Sequence, residues 1–405
     1  MNERPTVRWT ENGEPRSAWW RSENGARVPQ RVVIADDRTK ADVAHKLACE
    51  GTALLWRGDY HQARTLLAAL ARRVDRPPRR SRRRTEAPAD TAPAASFHRH
   101  RARQAQRARI LGMLLVPLDA TDGRYTVPLR RAPDVAGACE DAYGAPDPDG
   151  TSSLVALREL LGLVGAYEWR RKGVRVPALD GDRVHPRHGV FSPARGEYVD
   201  LVADAPLPPG AEELAYDIGT GTGVLAAVLA RRGVRRVVAT DTDPRALDCA
   251  RQNLARLAPP GAVDVVRADL FPDPGPEASA PARAPLVVCN PPWLPARPTS
   301  PVERAVYDPG SAMLRAFLRA LPAHLAPDGE GWLVLSDLAE RLGLRSREEL
   351  LDWIGAAGLR VRARHDTRPV HPRAADPDDP LHAARSAEVT SLWRLAPAER
   401  PGAAG

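Results

Sequence analysis

One stretch, Leu214-Ala215-Tyr216-Asp217-Ile218-Gly219-Thr220-Gly221-Thr222-Gly223-Val224-Leu225, constrains this chain more than any other. An apolar run of strand length meets a carboxylate, three alternating glycines come next, and a helical run continues through Val228, Leu229 and Arg232. The prediction is strand, tight turn, helix. Glycine serves two needs in such a turn: backbone angles closed to other residues, and a main chain with no Cβ to block a ligand lying against it. The helix after the turn aims its unpaired amides at that ligand. A purely structural turn looks the same in isolation, so the residues downstream of it must decide. The D-x-G-x-G-x-G spacing already departs from the G-x-G-x-x-G of nicotinamide-binding turns.

Three more apolar runs lie downstream, each with polar residues at its carboxyl end. Val237-Val238-Ala239-Thr240-Asp241 ends in an acid about 20 residues on, where a parallel neighbouring strand presents a carboxylate to ribose hydroxyls. Val263-Asp264-Val265-Val266-Arg267-Ala268-Asp269 ends in another, and Pro285-Leu286-Val287-Val288-Cys289 runs straight into Asn290-Pro291-Pro292-Trp293. Four such runs are what a doubly wound parallel sheet offers to a ligand. Asp243, two residues past Asp241, is the second candidate for the ribose, although Asp243-Pro244-Arg245 reads as the N-cap and first turn of a helix.

On these residues, the segment from about Gly189 to Leu395 resembles the class I S-adenosylmethionine-dependent methyltransferases. Within them it is most similar to the N-P-P-aromatic branch: N6-adenine DNA and RNA enzymes, N2-guanine ribosomal RNA enzymes, and glutamine-N5 enzymes that modify release factors. Gly189-Val190-Phe191-Ser192-Pro193 is similar to the lead-in segment of the ribosomal RNA branch. The resemblance implies an α/β fold, a doubly wound, mostly parallel seven-stranded Rossmann-like sheet, with S-adenosyl-L-methionine as cofactor. Asp217, Gly219, Gly221 and Gly223 match the first motif, with Thr220 between them. Asp241 matches the ribose-binding acid, and Asp269, followed by Leu270, the acid near the adenine. Asn290, Pro291, Pro292 and Trp293 match the catalytic motif, and Tyr307-Asp308 falls where such enzymes place a substrate-side residue.

The chemistry explains those residue types. A sulfonium already activates the methyl group, so the protein has mainly to hold a nitrogen lone pair in line with the S-methyl bond. In an amide or an exocyclic base amine that lone pair is delocalised into a planar system. The Asn290 side-chain carbonyl and the Pro291 main-chain carbonyl are placed to accept the two N–H protons, drawing the nitrogen toward a tetrahedral shape. Two prolines stiffen the turn. Trp293 then stacks on the planar group, worth about 1 to 3 kcal/mol if that group is a base. Against this, Asn-Pro-Pro also ends strands, and tryptophans also pack cores.

The rest of the chain is read from composition and periodicity. With 405 residues and 43% apolar content, two or three domains with real cores are expected. No apolar run spans a bilayer and the N-terminus is no signal peptide, so a cytoplasmic protein is expected. Cys49, Cys139, Cys249 and Cys289 lack metal spacing, and no metal site is expected. Residues 1–76 read as a small N-terminal α/β module with a strand Arg31–Ala35 and helices at Ala41–Cys49 and residues 60–73. Residues 77–96 read as a Pro/Ala/Arg-rich linker holding Arg79, Arg80, Arg82, Arg83 and Arg84. Residues 97–185 read as a basic helical middle segment, with His98, Arg99, His100, Arg101, Arg103, Arg107 and Arg109, and a second helix over residues 153–171. Residues 186–398 are the catalytic domain, with a helix over residues 312–325, a turn at Asp328-Gly329-Glu330-Gly331, a strand over residues 332–336 and an antiparallel last strand.

A net charge of +8 and the basic residues 79–84 and 98–109 point to RNA as partner. The first expectation is therefore an N-methyltransferase acting on an exocyclic base amine of RNA, ribosomal RNA above all. The same motif also serves a glutamine-N5 methyltransferase acting on a protein such as a release factor. A reading of another class is an RNA-binding or assembly protein that keeps the fold without turnover, against which Asp217, Asp241, Asn290 and Trp293 all stand intact.

Overall fold

A computed structural model describes residues 5–76, 92–147, 152–273, 283–299, 302–369 and 376–398. The chain divides into two compact units, one comprising residues 1–91 and 98–168, the other residues 92–97 and 169–405.

The first unit is a mixed sheet with crossover helices. Strands β1 (Thr6–Glu11) and β2 (Glu14–Arg21) form a hairpin. Its two-residue turn, Asn12-Gly13, has positive φ at both positions, the geometry that matches the twist of paired strands. β3 (Arg31–Ala35), α1 (Ala41–Cys49), β4 (Thr52–Trp56), α2 (Tyr60–Val74), α3 (Pro93–Leu111) and β5 (Leu114–Thr121) come next, then β6 (Arg124–Thr126), α4 (Ala136–Tyr143), β7 (Ser153–Ala156) and α5 (Leu157–Lys172). The strand order is β1-β2-β7-β5-β4-β3, with β6 on β5. All five residues of β4 are buried: Leu54 and Trp56 face one core, Ala53 and Leu55 the other, as a central strand covered on both faces requires.

Here the structure corrects two sequence expectations. The α/β module does not end at residue 76, and the segment after the linker is not simply helical, because β5 and β7 lie in the middle of this sheet. The apolar residues of β7 run without a break into those of α5, and a short apolar run beside a helical pattern carries no period of its own. The helix read over residues 153–171 is therefore a strand followed by a helix. The arginine run at residues 79–84 lies outside the described residues.

The second unit adds β8 (Val174–Arg175), β9 (Arg183–Val184), α6 (Glu197–Asp204), β10 (Leu214–Ile218), α7 (Val224–Arg231), β11 (Arg236–Asp241), α8 (Pro244–Leu257), β12 (Val263–Arg267) and β13 (Ala284–Cys289). It closes with α9 (Ala312–His324), β14 (Leu325–Ser336), α10 (Leu338–Arg341), α11 (Arg347–Ala356), β15 (Leu359–Thr367), α12 (His382–Ser386) and β16 (Thr390–Pro397). Its seven-stranded sheet runs β12-β11-β10-β13-β14-β16-β15. β16 alone is antiparallel to its neighbours, inserted between β14 and β15. This is the doubly wound, mostly parallel sheet expected.

Alternate residues of each strand feed two cores. Ala215, Val237, Ala239, Leu286, Val288, Trp332 and Val334 pack against α6, α7 and α8. Tyr216, Ile218, Val238, Val287, Leu333 and Leu335 pack against α9 and α11. Helix α7 is buried over Val224 to Ala230, which fits a helix that is apolar all round. On α9, Leu314, Phe317, Leu318 and Leu321 form one stripe with 0% exposure; each stabilises by about 1.5 to 3 kcal/mol through burial alone, an upper figure.

The expected turn at Asp328–Gly331 is also corrected. β14 starts at Leu325, and Glu330 and Gly331 already pair with Leu286 and Val287 after a register shift. Glu330 is tolerated inside because Arg394 grips both its oxygens, at 2.7 and 2.9 Å. Gly331 is required because a Cβ there would stand 2.4 Å from Leu321 Cδ2.

What matters for function is the carboxyl edge. Ile218 of β10 is level with Thr240 of β11 and Cys289 of β13. β10 connects through α7 to one side and its other neighbour is β13, so the chain's winding reverses between them. Ligands of open α/β sheets bind at such a switch point.

Candidate active site

The glycine turn hangs on two carboxylates. Asp217, 1% exposed, accepts the Thr220 hydroxyl at 2.6 Å and the Ala226 amide at 3.1 Å on one oxygen. It thereby ties the end of β10 to the turn and to the first turn of α7. Burial pushes its carboxyl up to about 6, against the opposing pull of those two bonds. Asp241 accepts the amide of Gly221 at 3.1 Å and that of Asp243 at 3.0 Å, one on each oxygen. Burial raises its carboxyl too, opposed by those amides. Each oxygen of an ionised carboxylate has further acceptor capacity, so Asp241 can still take two hydroxyl donors. Asp243 spends its side chain on the Arg245 amide at 2.9 Å, capping α8 with Pro244 at its first position, as its sequence context predicts.

Two glycines show why the turn needs them. At Gly223, φ is +81° and a Cβ would sit 3.0 Å from Leu254 Cγ, so α8 packs directly on the backbone. At Gly221, φ is +54° and a Cβ would meet nothing within 4 Å. The second is therefore the bare edge of an open cradle, flanked by Asp241. On the far side of Asp241, Leu270 holds φ +68°, a strained angle for such a residue. Its carbonyl is fixed by the Thr240 hydroxyl at 2.5 Å. Asp269 beside it is exposed.

On the β13 side, Asn290 is half-buried and Pro291 buried. The Trp293 indole donates to Asn290 Oδ1 at 2.9 Å, which fixes the amide oxygen's orientation and leaves that oxygen one acceptor site. Burial holds the Cys289 thiol well above the usual range, so it stays protonated and inert. The segment after the turn doubles back: the Leu294 amide donates to the Val306 carbonyl at 3.1 Å and the Asp308 amide to the Leu294 carbonyl at 2.8 Å. Tyr307 thus runs beside Leu294, next to the turn at residues 290–293.

Asp308 is a different case. It is 5% exposed, and its two oxygens accept the amides of Met313 and Leu314 at 3.0 and 3.1 Å. It caps the start of α9, a structural task beyond the substrate-side one expected of it. A carboxylate five residues ahead of a helical amide is not a cap pattern that sequence spacing reveals.

Sequence reading also missed three contributors. Buried Asn253 on α8 donates to the Thr222 carbonyl at 3.0 Å and accepts the His185 amide at 2.9 Å, stapling the turn to the segment before α6. Arg195 lies over the Trp293 ring, 5.0 Å from its centroid. Glu388, just before β16, accepts from Arg195 at 3.1 Å. The one local signal was Arg195's position two residues past the Phe191-Ser192-Pro193 lead-in. Among the described residues there is no group of three or more His, Cys, Asp or Glu side chains able to hold a metal, and no helix long and apolar enough to cross a membrane.

Comparison with known proteins decides the class of this crevice. Residues 182–342 match the family model of the methyltransferase small domain. This part of the chain is a methyltransferase small domain. Its cofactor is S-adenosylmethionine, and the open cradle at Gly221 beside Asp241 fits a ligand with a hydroxylated sugar. A release factor glutamine methyltransferase of Cereibacter sphaeroides is 31% identical over 177 residues, 41% of this chain and 58% of that protein. A ribosomal protein L11 methyltransferase of Pelotomaculum thermopropionicum is 45% identical over 75 residues, 18% of this chain and 22% of that protein. A tRNA1(Val) (adenine(37)-N6)-methyltransferase of Shewanella amazonensis is 29% identical over 161 residues, 37% of this chain and 68% of that protein. The chain thus spans little more than half of the first relative and less than a quarter of the second.

Proposed function

We propose that this chain transfers the methyl group of S-adenosylmethionine to a planar nitrogen, an exocyclic base amine of RNA. The observation that carries the reading is Asn290: an amide oxygen with one acceptor site left, at the carboxyl end of β13 and level with the glycine turn after β10.

The residues divide by task. Gly219, Thr220, Gly221 and Gly223 shape the cofactor's cradle, and Asp217 holds that shape from beneath. Asp241 receives the ribose hydroxyls, while Leu270 and Asp269 border the adenine. The cofactor supplies a methyl group already activated by its sulfonium. Asn290 Oδ1 and the Pro291 carbonyl accept the acceptor's N–H protons and free its lone pair from the planar system. Pro291 and Pro292 keep both oxygens in place, and Trp293 provides the flat surface beside them.

RNA as acceptor is supported by charge. Arg99, Arg103 and Arg109 are exposed on α3, and an arginine cluster binds phosphates through counterion release. Arg107 is spent on both oxygens of Asp75, at 2.7 and 3.0 Å. The test is incubation of the full chain with tritiated cofactor and ribosomes, tRNA or release factor, then digestion of the labelled pool. N-methylated nucleosides support the reading. A second reading, methylation of a protein glutamine, is favoured by the relative from Cereibacter sphaeroides; label confined to release factor would replace the first with it.

A further inference from the structure

The carboxyl edge of the sheet holds a charge cluster to which the mechanism gives no task. Arg195 donates through Nε to Glu197 at 2.8 Å and through Nη2 to Glu388 at 3.1 Å. Glu388 also accepts the Ser336 hydroxyl at 2.5 Å, at the end of β14. The two glutamates are buried, at 6% and 1% exposure, and the second oxygen of each has no partner among the described residues. Two buried carboxyl groups converge on one guanidinium and each keeps an oxygen without a partner among the described residues, an arrangement that needs a reason.

The reason lies on the other side of the arginine. Its guanidinium carbon stands 5.0 Å from the centroid of the Trp293 ring, within cation–π range. Trp293 is held at its edge by Asn290 Oδ1, 2.9 Å from Nε1. A ring fixed at its edge and covered on a face has one orientation. A planar guanidinium forked between two carboxylates can lie on that face only in one plane, whereas an ammonium, a point charge, imposes none.

We infer that Arg195, clamped by Glu197 and Glu388, is a positioning residue that sets the plane of Trp293 and so the plane in which the acceptor's flat group is received. This rests on the reading of Trp293 as the acceptor's platform. Glu388 lies outside the residues matched by the family model, so the clamp draws on the strands that close the sheet.

The test is a double-mutant cycle in the full chain, Arg195→Lys against Trp293→Leu, with in vitro transcribed ribosomal RNA as acceptor. Arg195→Lys alone should raise the acceptor KM by about threefold to thirtyfold, the range of a partly buried cation–π contact, and leave S-adenosylhomocysteine affinity unchanged. In the Trp293→Leu background the same change should do nothing further, since the arginine acts only through the ring. Equal losses in both backgrounds overturn the inference. An acceptor-independent readout accompanies it: in the 5-fluorotryptophan-labelled chain, the fluorine resonance absent from Trp293→Leu should shift or broaden in Arg195→Lys while the others stay fixed. An unmoved resonance also overturns it. If Arg195→Lys fails to fold, Glu388→Gln, which keeps the arginine and removes one arm of the clamp, is put through the same cycle and spectrum. Failure of the platform reading looks different: Trp293→Leu then costs the acceptor nothing, while the resonance still responds to Arg195→Lys.

Discussion

The buried carboxyl beneath the glycine turn makes local stability depend on pH in a direction opposite to that of an ion-paired acid. Asp217 titrates at about 6 in the folded protein and at about 3.9 in an unfolded chain. Below about pH 4 both states hold the proton; between about 4 and 6 only the folded state does. Unfolding then releases a proton, so stability falls as pH rises, by about 1.4 kcal/mol per unit and about 3 kcal/mol in all. Above that window the loss is complete. Asp217→Asn removes the ionisation but keeps an oxygen for the Thr220 hydroxyl and the Ala226 amide, so it should resemble the protonated wild type at every pH. The assay is hydrogen exchange of the peptide covering residues 214–226, corrected for intrinsic rates. The wild-type peptide should open about 50-fold more readily at pH 8 than at pH 4 relative to the variant, since at pH 4 the unfolded carboxyl is already half ionised. Asp241 is shifted in the same direction and its charge acts on Asp217, so the difference reports Asp217 together with its coupling to Asp241. A wild-type opening free energy that stays parallel to the variant's across the window, or that rises with pH, refutes the reasoning.

Other expectations come from the same geometry. Asp241→Ala should weaken S-adenosylhomocysteine binding by about 1.5 to 3 kcal/mol, the worth of hydrogen bonds to a charged group; calorimetry showing no change removes Asp241 from the ribose. Deletion of residues 79–84 should flatten the salt dependence of RNA binding, and an unchanged slope leaves that run without a role in binding.

The two sheets were not equally legible in the sequence. The four parallel strands at the site could be read because each is a short apolar run ending in a chemically informative residue: Asp217 and its glycines, Asp241, Asp269, Asn290. Local sequence and global fold agree there. Of the first unit's sheet only β3 was read; β5 and β7 enter its centre from beyond the linker, and strand pairing is a non-local property that no window of sequence contains. The clamp was hidden for the same reason. Arg195 and Glu388 are 193 residues apart; Glu388 carries no pattern of its own, and Arg195 only its place just past the Phe191-Ser192-Pro193 lead-in. The capping task of Asp308 was hidden because its amide partners, Met313 and Leu314, lie five and six residues on, at no spacing that marks a cap.

The central claim is that Asn290 acts on the acceptor nitrogen and not on the cofactor. Single-turnover methyl transfer by Asn290→Ala, with S-adenosylhomocysteine affinity measured on the same sample, tests it most directly. Transfer should be abolished while affinity stays at the wild-type value. Transfer that persists, or a loss of affinity as large as the loss of rate, contradicts the account.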